Sequence, residues 1–330
     1  MRLRLARNRA AIYVAVAIAV GLSAFAPTPY SLILPGRAVD LGGVVSLGSG
    51  PPAQTRFYLT DVRFATRVTP LELLSVFIPG VRAVWTTDVL PSGMSVVRYE
   101  SMQRDAMSES QTIAAAVAEH AAGYRVPAPR GRVMVLYFAP QSHASRVLHP
   151  FDVLAAIDGK PIASSYDLQR ALRRVHAGSI VRIGLFRHGG RRTASVQTTS
   201  YRGRTVLGTY LTTIYERPRL PVGVSFHLPH VAGSSGGLMF ALEIYRSLKR
   251  QSLPGELRIA GTGTIAYDGS VGPIEGATQK VAAARAAGAS LFLVPAENYP
   301  EIRGTRNIQV VPVGSFNQAL QAVAAAAIPQ

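Results

Sequence analysis

The chain has 330 residues, of which 48% are hydrophobic and 16% are charged, so it can bury one large core or several small ones. This composition excludes a disordered chain and a polytopic membrane protein, and the absence of cysteine excludes a disulfide scaffold, a thiolate zinc site and a cysteine nucleophile. With 35 basic and 18 acidic residues, the net charge of +17 attracts anionic lipid, polymer or nucleic acid but indicates no chemistry.

The chain begins with a short basic tip and an apolar run. The tip carries four arginines, namely Arg2, Arg4, Arg7 and Arg9. Residues 10–26 are uncharged and just long enough to cross a bilayer as a helix, and arginines stay on the cytoplasmic side. Residues 1–35 are therefore predicted to be a cytoplasmic tip and a transmembrane signal anchor that contacts membrane lipid, with the rest of the chain outside.

Two other interpretations of the apolar run compete with the anchor. Ala24-Phe25-Ala26 has the small-x-small pattern of a cleavage site, which would make the run a removable signal peptide. Pro27 directly after this pattern favours retention. A buried core helix would leave the leading arginines unexplained.

Residues 36–122 are predicted to form a β-rich region that packs on the C-terminal domain. Strands are expected at residues 58–64 and 95–99, and an alanine-rich helix at residues 108–122. No recognisable chemistry occurs here.

Residues 123–203 show a denser pattern. A strand at 133–138, a tight turn at Asp158-Gly159, a helix over 166–175 capped by Ser165, and strands at 180–187 and 193–198 are expected. This order resembles a bacterial PDZ domain, a small β-rich module, although Phe151 stands where that family usually has glycine. The resemblance implies a groove that binds a peptide as an added strand beside Val133, Met134, Val135 and Leu136. A spacer without a ligand is the alternative.

The C-terminal third, residues 204–330, alternates helices and strands, which predicts an α/β unit. Its first helix, over residues 238–250, begins at a glycine-flanked serine pair, Gly233-Ser234-Ser235-Gly236-Gly237. A serine there can cap the helix, or it can be a nucleophile whose developing oxyanion is held by N–H groups of Ser234, Gly236 and Gly237.

The serine loop also fits the nucleophile elbow of α/β-hydrolases, but that triad needs a histidine downstream. All seven histidines precede Ser235, so two later lysines remain as candidate bases. Lys249 lies among arginines at a helix end, where a solvated charge is the simpler interpretation. Lys280 lies in the first turns of an alanine-rich helix, where burial would lower its pKa towards that of a general base.

At these residues the sequence resembles the proteolytic domain of Lon proteases. The resemblance covers the serine loop, residues 259–265, residues 268–276, the helix around Lys280 and residues 292–296. It implies that Ser235 is the nucleophile and Lys280 the general base, with Ser234 as a rival nucleophile. The family loop usually reads G-P-S-A-G, so this loop is expected to be looser, and Glu275 replaces a glycine and is expected to weaken the base if it points inward.

The anchor, PDZ and Lon-type layout is similar to that of membrane-anchored Lon-like proteases. No G-x-x-x-x-G-K-[ST] phosphate loop occurs. The sequence therefore predicts an ATP-independent serine endopeptidase at the outer face of the cytoplasmic membrane, with no metal or cofactor, that cleaves unfolded or membrane-proximal proteins and peptides presented by the PDZ domain. The resemblance also implies a ring-shaped homo-oligomer.

Two other functions compete with the protease. A catalytically weak or inactive scaffold could bind peptide tails through the PDZ domain. Nucleic-acid binding is disfavoured, because the arginines are scattered and aromatic residues are not interleaved with them.

Overall fold

The computed structural model describes residues 21, 24–47, 57–66, 68–90, 95–127, 131–140, 142–201, 203–215, 220–228, 233–250 and 257–327. The predicted cytoplasmic tip and most of the predicted anchor lie outside these residues. Within the described ranges, every helix is too short or too polar to cross a bilayer.

The N-terminal part of the described chain contains four strands and three helices. They are β1 (Tyr30–Asp40), β2 (Val45–Leu47), β3 (Phe57–Ala65), α1 (Pro70–Leu73), β4 (Arg82–Trp85), α2 (Thr86–Val89) and α3 (Val96–Ala121). Short 3-10 helices cover Leu41–Gly43 and Leu74–Phe77.

The middle part is mostly β-structure. It comprises β5 (Gly131–Phe138), β6 (Val153–Ile157), β7 (Lys160–Pro161), α4 (Ser165–Leu172), β8 (Ile180–Arg187), β9 (Gly190–Gln197), β10 (Thr199–Tyr201), β11 (Arg204–Val206) and β12 (Thr209–Tyr215). A 3-10 helix covers His143–Arg146.

The C-terminal part alternates strands and helices as expected of an α/β unit. It comprises β13 (Val224–Phe226), α5 (Gly237–Lys249), β14 (Ile259–Gly261), β15 (Thr264–Ile265), β16 (Val271–Gly272), α6 (Ala277–Ala286), β17 (Leu291–Pro295), α7 (Tyr299–Ile302), β18 (Gln309–Val313) and α8 (Phe316–Ala326). A 3-10 turn, Ser234–Gly236, precedes α5.

The main sheet joins strands from both ends of the chain. Its order is β18-β17-β14-β3-β1-β4, with β18, β17, β14 and β3 parallel and the β3-β1 and β1-β4 pairs antiparallel. Successive residues of β17 are buried on opposite faces: Leu293 packs in the core with α5, and Phe292 packs in the core with α6. Residues 30–122 thus do more than pack on the C-terminal domain, because they supply three of its six sheet strands.

The strand predicted at residues 95–99 is wrong, because α3 begins there. The β-branched pair after Ser95 favoured a strand, but the Ser95 side chain accepts a hydrogen bond from the N–H of Arg98 and so caps the helix. The predicted helix at 108–122 is the second half of α3, where alanines such as Ala114 and Ala118 are fully buried. Their small side chains let α3 approach α5 closely.

The second large sheet has the order β12-β5-β6-β8-β9, with β7 added to β6. Its strands at 133–138, 180–187 and 193–198 were predicted correctly. The turn at Asp158-Gly159 is also as predicted, with φ angles of 47° and 78°. Phe151 has a φ of 71°, which suits the glycine expected there.

Two predicted boundaries around this sheet need correction. Ser164, and not Ser165, caps α4, because its hydroxyl accepts a hydrogen bond from the Asp167 N–H at 3.0 Å. In addition, β12 pairs with β5, so the division predicted at residue 203 cuts through the sheet.

Candidate active site

The serine pair lies in the 3-10 turn Ser234–Gly236, directly before α5. Gly233 enters the turn with a φ of 96°, a left-handed conformation that glycine adopts without strain. Ser235 is partly exposed, so a substrate can reach its hydroxyl. The loop therefore presents a serine at a helix start, as the sequence predicted.

Hydrogen bonds from two sides fix the serine loop. On the α3 side, the Gly233 N–H donates to the Gln103 carbonyl at 2.8 Å and the Ser110 hydroxyl donates to the Ser234 carbonyl at 3.0 Å. On the other side, the Gly263 N–H donates to the Ser235 carbonyl at 2.8 Å. These bonds hold the backbone that the lost proline was expected to leave loose.

The two glycines after Ser235 are required by close packing. A Cβ atom on Gly236 would stand 2.8 Å from Cδ1 of Leu59, and one on Gly237 would stand 2.7 Å from Oγ of Ser110. Both distances are below normal van der Waals contact, so an alanine would force the side chains of Leu59 or Ser110 to move. The departure from the usual family loop therefore suits this chain's own packing.

Lys280 reaches the serine from the first turn of α6. Gly276 precedes this helix with a φ of 73°, and the Lys280 N–H donates to its carbonyl at 3.0 Å. The side chain is only 2% exposed, and its Nζ lies 2.8 Å from Oγ of Ser235. Two residues far apart in the sequence are thus in direct hydrogen-bond contact. Ser234 does not share this contact in the described structure, and this favours Ser235 as the nucleophile.

Thr262 completes the site, and the sequence analysis did not single it out. The Lys280 Nζ donates to Oγ1 of Thr262 at 3.2 Å, and this hydroxyl donates to the Ser235 carbonyl at 3.0 Å. Thr262 is fully buried at the end of β14. The threonine stood within a motif that resembled Lon, but only the fold brings it to the amine.

Burial lowers the pKa of Lys280 from its ordinary value of 10.5 to about 7. The carboxylates of Asp61 and then Glu275 act in the opposite direction and raise it. Burial outweighs them, partly because Glu275 is itself exposed. A large fraction of the Lys280 amine is therefore neutral near pH 7, the form in which it can accept a proton.

Other predicted residues are used differently. Lys249 is exposed at the end of α5, as the sequence suggested. The Gly237 N–H donates to the Ser234 carbonyl, so Gly237 belongs to the loop but is not an oxyanion donor in this structure. Ser234 and Gly236 remain the candidate donors. No cluster of three or more histidine and acidic side chains suited to a metal ion occurs within the described ranges.

The peptide groove predicted beside Val133, Met134, Val135 and Leu136 is wrong. β5, which carries these residues, pairs with β12 on one side and with β6 on the other, so its backbone groups are already used. The outer strand of the sheet is β12 itself, and no described strand pairs with its other edge. The start of α4 packs beside it, where the Ser165 N–H donates to Oγ1 of Thr213 at 3.0 Å.

Residues 214–324 match the family model of the Lon protease (S16) C-terminal proteolytic domain. This match supports a serine-type peptidase. An archaeal Lon protease from Archaeoglobus fulgidus is 29% identical over 97 residues, which is 28% of this chain and 15% of that protein. The chain thus spans only a small part of the length of this relative.

Solved structures similar to part of the chain include PDZ domains of SdrC-like proteins. That from Listeria monocytogenes is 25% identical and covers 24% of this chain and 85% of its own, with a TM-score of 0.23. That from Listeria innocua is 24% identical and covers 24% and 92%, also at 0.23. A protein from Geobacillus thermodenitrificans is 28% identical and covers 24% and 94%, at 0.22. These TM-scores are too low to relate the overall folds.

Proposed function

We propose that the chain is an ATP-independent serine endopeptidase that uses Ser235 as nucleophile and Lys280 as general base. The observation that carries this proposal is the 2.8 Å contact between Nζ of Lys280 and Oγ of Ser235, with the lysine almost fully buried. A lysine placed only for surface charge would be solvated, as Lys249 is. A buried amine beside a partly exposed hydroxyl is the arrangement that a Ser-Lys pair needs.

The mechanism follows from these positions. The neutral Lys280 amine accepts the Ser235 proton while Oγ attacks the peptide carbonyl. Thr262 holds Nζ in line and also fixes the Ser235 carbonyl. Backbone N–H groups at Ser234 and Gly236 are the candidate donors to the oxyanion at the start of α5. The ammonium then protonates the leaving amine, and water hydrolyses the acyl-enzyme.

We propose that substrates enter along β12. No described strand pairs with the outer edge of β12, and the part of this edge that the start of α4 leaves uncovered can add an extended peptide through backbone hydrogen bonds, the way a PDZ domain binds its ligands. Tyr210 on β12 and Tyr99 on α3 both lie within the electrostatic reach of Glu275, the residue just before the lysine helix. We propose that a peptide on this edge passes the start of the lysine helix, and such a peptide must be unfolded to fit.

The proposal also covers whether cleavage needs a nucleotide and where in the cell the chain lies. The sequence contains no phosphate loop, so we propose that cleavage needs no nucleotide and is limited to unfolded or membrane-proximal substrates. Residues 10–26 would anchor the chain in the cytoplasmic membrane, with both large sheets on the outer side. We further propose that copies assemble into a ring, as Lon-type domains do.

The proposed nucleophile can be tested with the Ser235→Ala variant. A fluorophosphonate probe should label the wild-type chain at Ser235, and the variant should lose both labelling and cleavage of an unfolded protein. Ser234→Ala is the matched control, because its hydroxyl lies one residue away, and it should keep both. Labelling of Ser234, or cleavage by the Ser235 variant at the wild-type rate, would refute the mechanism.

A further inference from the structure

One surface of the chain is exposed although it is strongly apolar. The helix α1 and the 3-10 helix after it, Leu74–Phe77, contain no buried residue. The exposed fractions are 53% for Leu71, 57% for Leu74, 83% for Phe77 and 58% for Ile78. We call these four residues the apolar ledge. Contiguous exposed apolar side chains of this kind mark a surface that is covered in the functional state.

The apolar ledge lies beside the chain that leaves the apolar run at residues 10–26. The Leu71 N–H donates to the carbonyl of Ala24 at 3.4 Å, and the Thr28 N–H donates to the carbonyl of Val68 at 2.8 Å. Phe25, between these contacts, is 69% exposed. If the run crosses a bilayer, the hydrogen bond from Leu71 to Ala24 keeps the ledge next to the point where the chain leaves the bilayer.

Aromatic residues occupy the same end of the main sheet. Trp85, the single tryptophan of the chain, is half exposed and lies against Tyr30, with ring centroids 4.5 Å apart. The next residue, Thr86, donates its N–H to the Pro29 carbonyl at 2.9 Å. Tryptophan and tyrosine favour the boundary between lipid headgroups and acyl chains, because one part of each ring system is apolar and the other polar.

The charges around the apolar ledge also suit a lipid surface. Arg82 on β4 and Arg63 on β3 are both exposed, and one exposed acidic residue, Asp88, follows Trp85 by three positions. Between residues 66 and 85 the sequence has one acidic residue, Glu72, and its carboxylate accepts a hydrogen bond from the N–H of Thr69 at 2.8 Å. Exposed arginines beside an apolar surface attract anionic headgroups.

We propose that the apolar ledge is embedded in the outer leaflet of the membrane, with Trp85 and Tyr30 at the headgroup boundary. The bilayer is the proposed partner because the chain from Pro27 to Tyr30 can extend by no more than about 14 Å, which keeps this end of the sheet close to the bilayer surface. The proposal rests on the proposed anchoring at residues 10–26. It does not depend on the proposed peptidase chemistry.

The test uses the single tryptophan of the full-length chain as a depth probe. The chain is reconstituted into vesicles of phosphatidylcholine and phosphatidylglycerol that carry bromine atoms near the headgroups, which quench nearby indole fluorescence. Wild-type Trp85 should be quenched and its emission shifted to shorter wavelength. In the double variant Leu74→Ser, Phe77→Ser, quenching of Trp85 should be about threefold weaker than in the wild type, because the ledge no longer enters the lipid.

The matched control is Phe151→Ser, which removes an aromatic side chain that is 66% exposed in the turn before β6. It should be quenched like the wild type. Circular dichroism reports whether each variant is folded. Probe labelling at Ser235 in the same samples tests the proposed peptidase function separately from this proposal.

Three outcomes would overturn the proposal. Equal quenching of the wild type and the double variant would show that the ledge does not set the depth of Trp85. Absence of quenching in a chain that floats with the vesicles would place the ledge in water, or against a second copy if the double variant also dissociates in sedimentation. A chain that fails to float with vesicles would refute the anchoring and, with it, this proposal.

Discussion

The two binding regions of this chain differ in how their polar groups are used. Around the dyad, Lys280 and Thr262 are buried, and their polar atoms are joined to the serine loop by hydrogen bonds. Along β12, one edge pairs with β5, and no described strand pairs with the other edge. The polar groups of the first region are bonded within the protein, whereas the outer edge of β12 has no described partner strand and is where we propose that a peptide strand adds.

This difference shows why one region was predictable and the other was not. A catalytic serine and its base are specific residues that leave a mark in a short motif. An open sheet edge is a property of strand order, and no sequence motif in β12 predicts that this strand lies at the edge of the sheet. Substitutions at Lys280 and Glu275 change the first region, and substitutions on β12 change the second.

The largest effect is expected for Lys280→Met. Cleavage should fall by roughly 10²–10⁴-fold, because the general base is removed while the packing is nearly kept. The free energy of unfolding should rise by on the order of 2–4 kcal/mol at pH 7, because a buried amine is replaced by an apolar chain. Peptide cleavage assays and urea titrations measure the two quantities.

The pH dependence of this stability has a definite sign. Because the Lys280 pKa is lowered from 10.5 to about 7, the unfolded chain binds more protons between these values, so wild-type stability rises with pH in that window. Below about pH 7, burying the Lys280 amine costs the most unfolding free energy, because the folded chain must then bury it as a charged ammonium. The advantage of Lys280→Met should therefore be greatest at low pH and shrink above neutrality. Lys249→Met, at an exposed site, should change neither stability nor cleavage.

The pH profile of cleavage should also report the lysine. The rate of the wild type should rise with pH through about 7 as the Lys280 amine loses its proton. Glu275→Gln removes a carboxylate that raises the Lys280 pKa, so the rising limb should move to lower pH by roughly a few tenths of a unit. A shift to higher pH would contradict the direction assigned to Glu275.

The open edge can be tested by photocrosslinking. A photoreactive amino acid in place of the half-exposed Ile214, on β12, should capture an extended substrate peptide with severalfold higher yield than one in place of Ser195. Ser195 lies on β9, the opposite outer strand of the same sheet, and provides the matched control. Equal capture at both edges would remove the reason for placing substrates along β12.

The smallest effect is expected at the contact between the second sheet's domain and the peptidase domain. Arg173 and Arg204 both pair with Glu297, and Arg170 pairs with Asp268 at 3.1 Å. All of these side chains are substantially exposed, so Glu297→Gln should cost about 0–1 kcal/mol of unfolding free energy. High salt should reduce the difference between variant and wild type, since it screens the same pairs.

Particular elements show how far sequence reasoning reaches. The helix at Lys280, the serine loop and the strands of the second sheet follow from local signals, such as glycines with positive φ and apolar alternation. The strand expected at residues 95–99 failed, because Ser95 begins a long helix whose buried alanines contact α5, a partner more than a hundred residues away. The serine loop was expected to be looser than the family loop, and only the structure shows that Leu59, Gln103 and Ser110 pack or bond against it from other elements.

By itself, the sequence determined which residues can do chemistry: it has no cysteine, no histidine after Ser235, and two lysines after it, Lys249 and Lys280. Composition and residue order left Lys249 and Lys280 as candidate bases, and the resemblance to the Lon proteolytic domain singled out Ser235 and Lys280. Only the tertiary structure decided that the Lys280 amine is buried, that it donates a hydrogen bond to Thr262, and that β12 is the outer strand. Burial and sheet order depend on contacts between distant segments, and no local pattern encodes them.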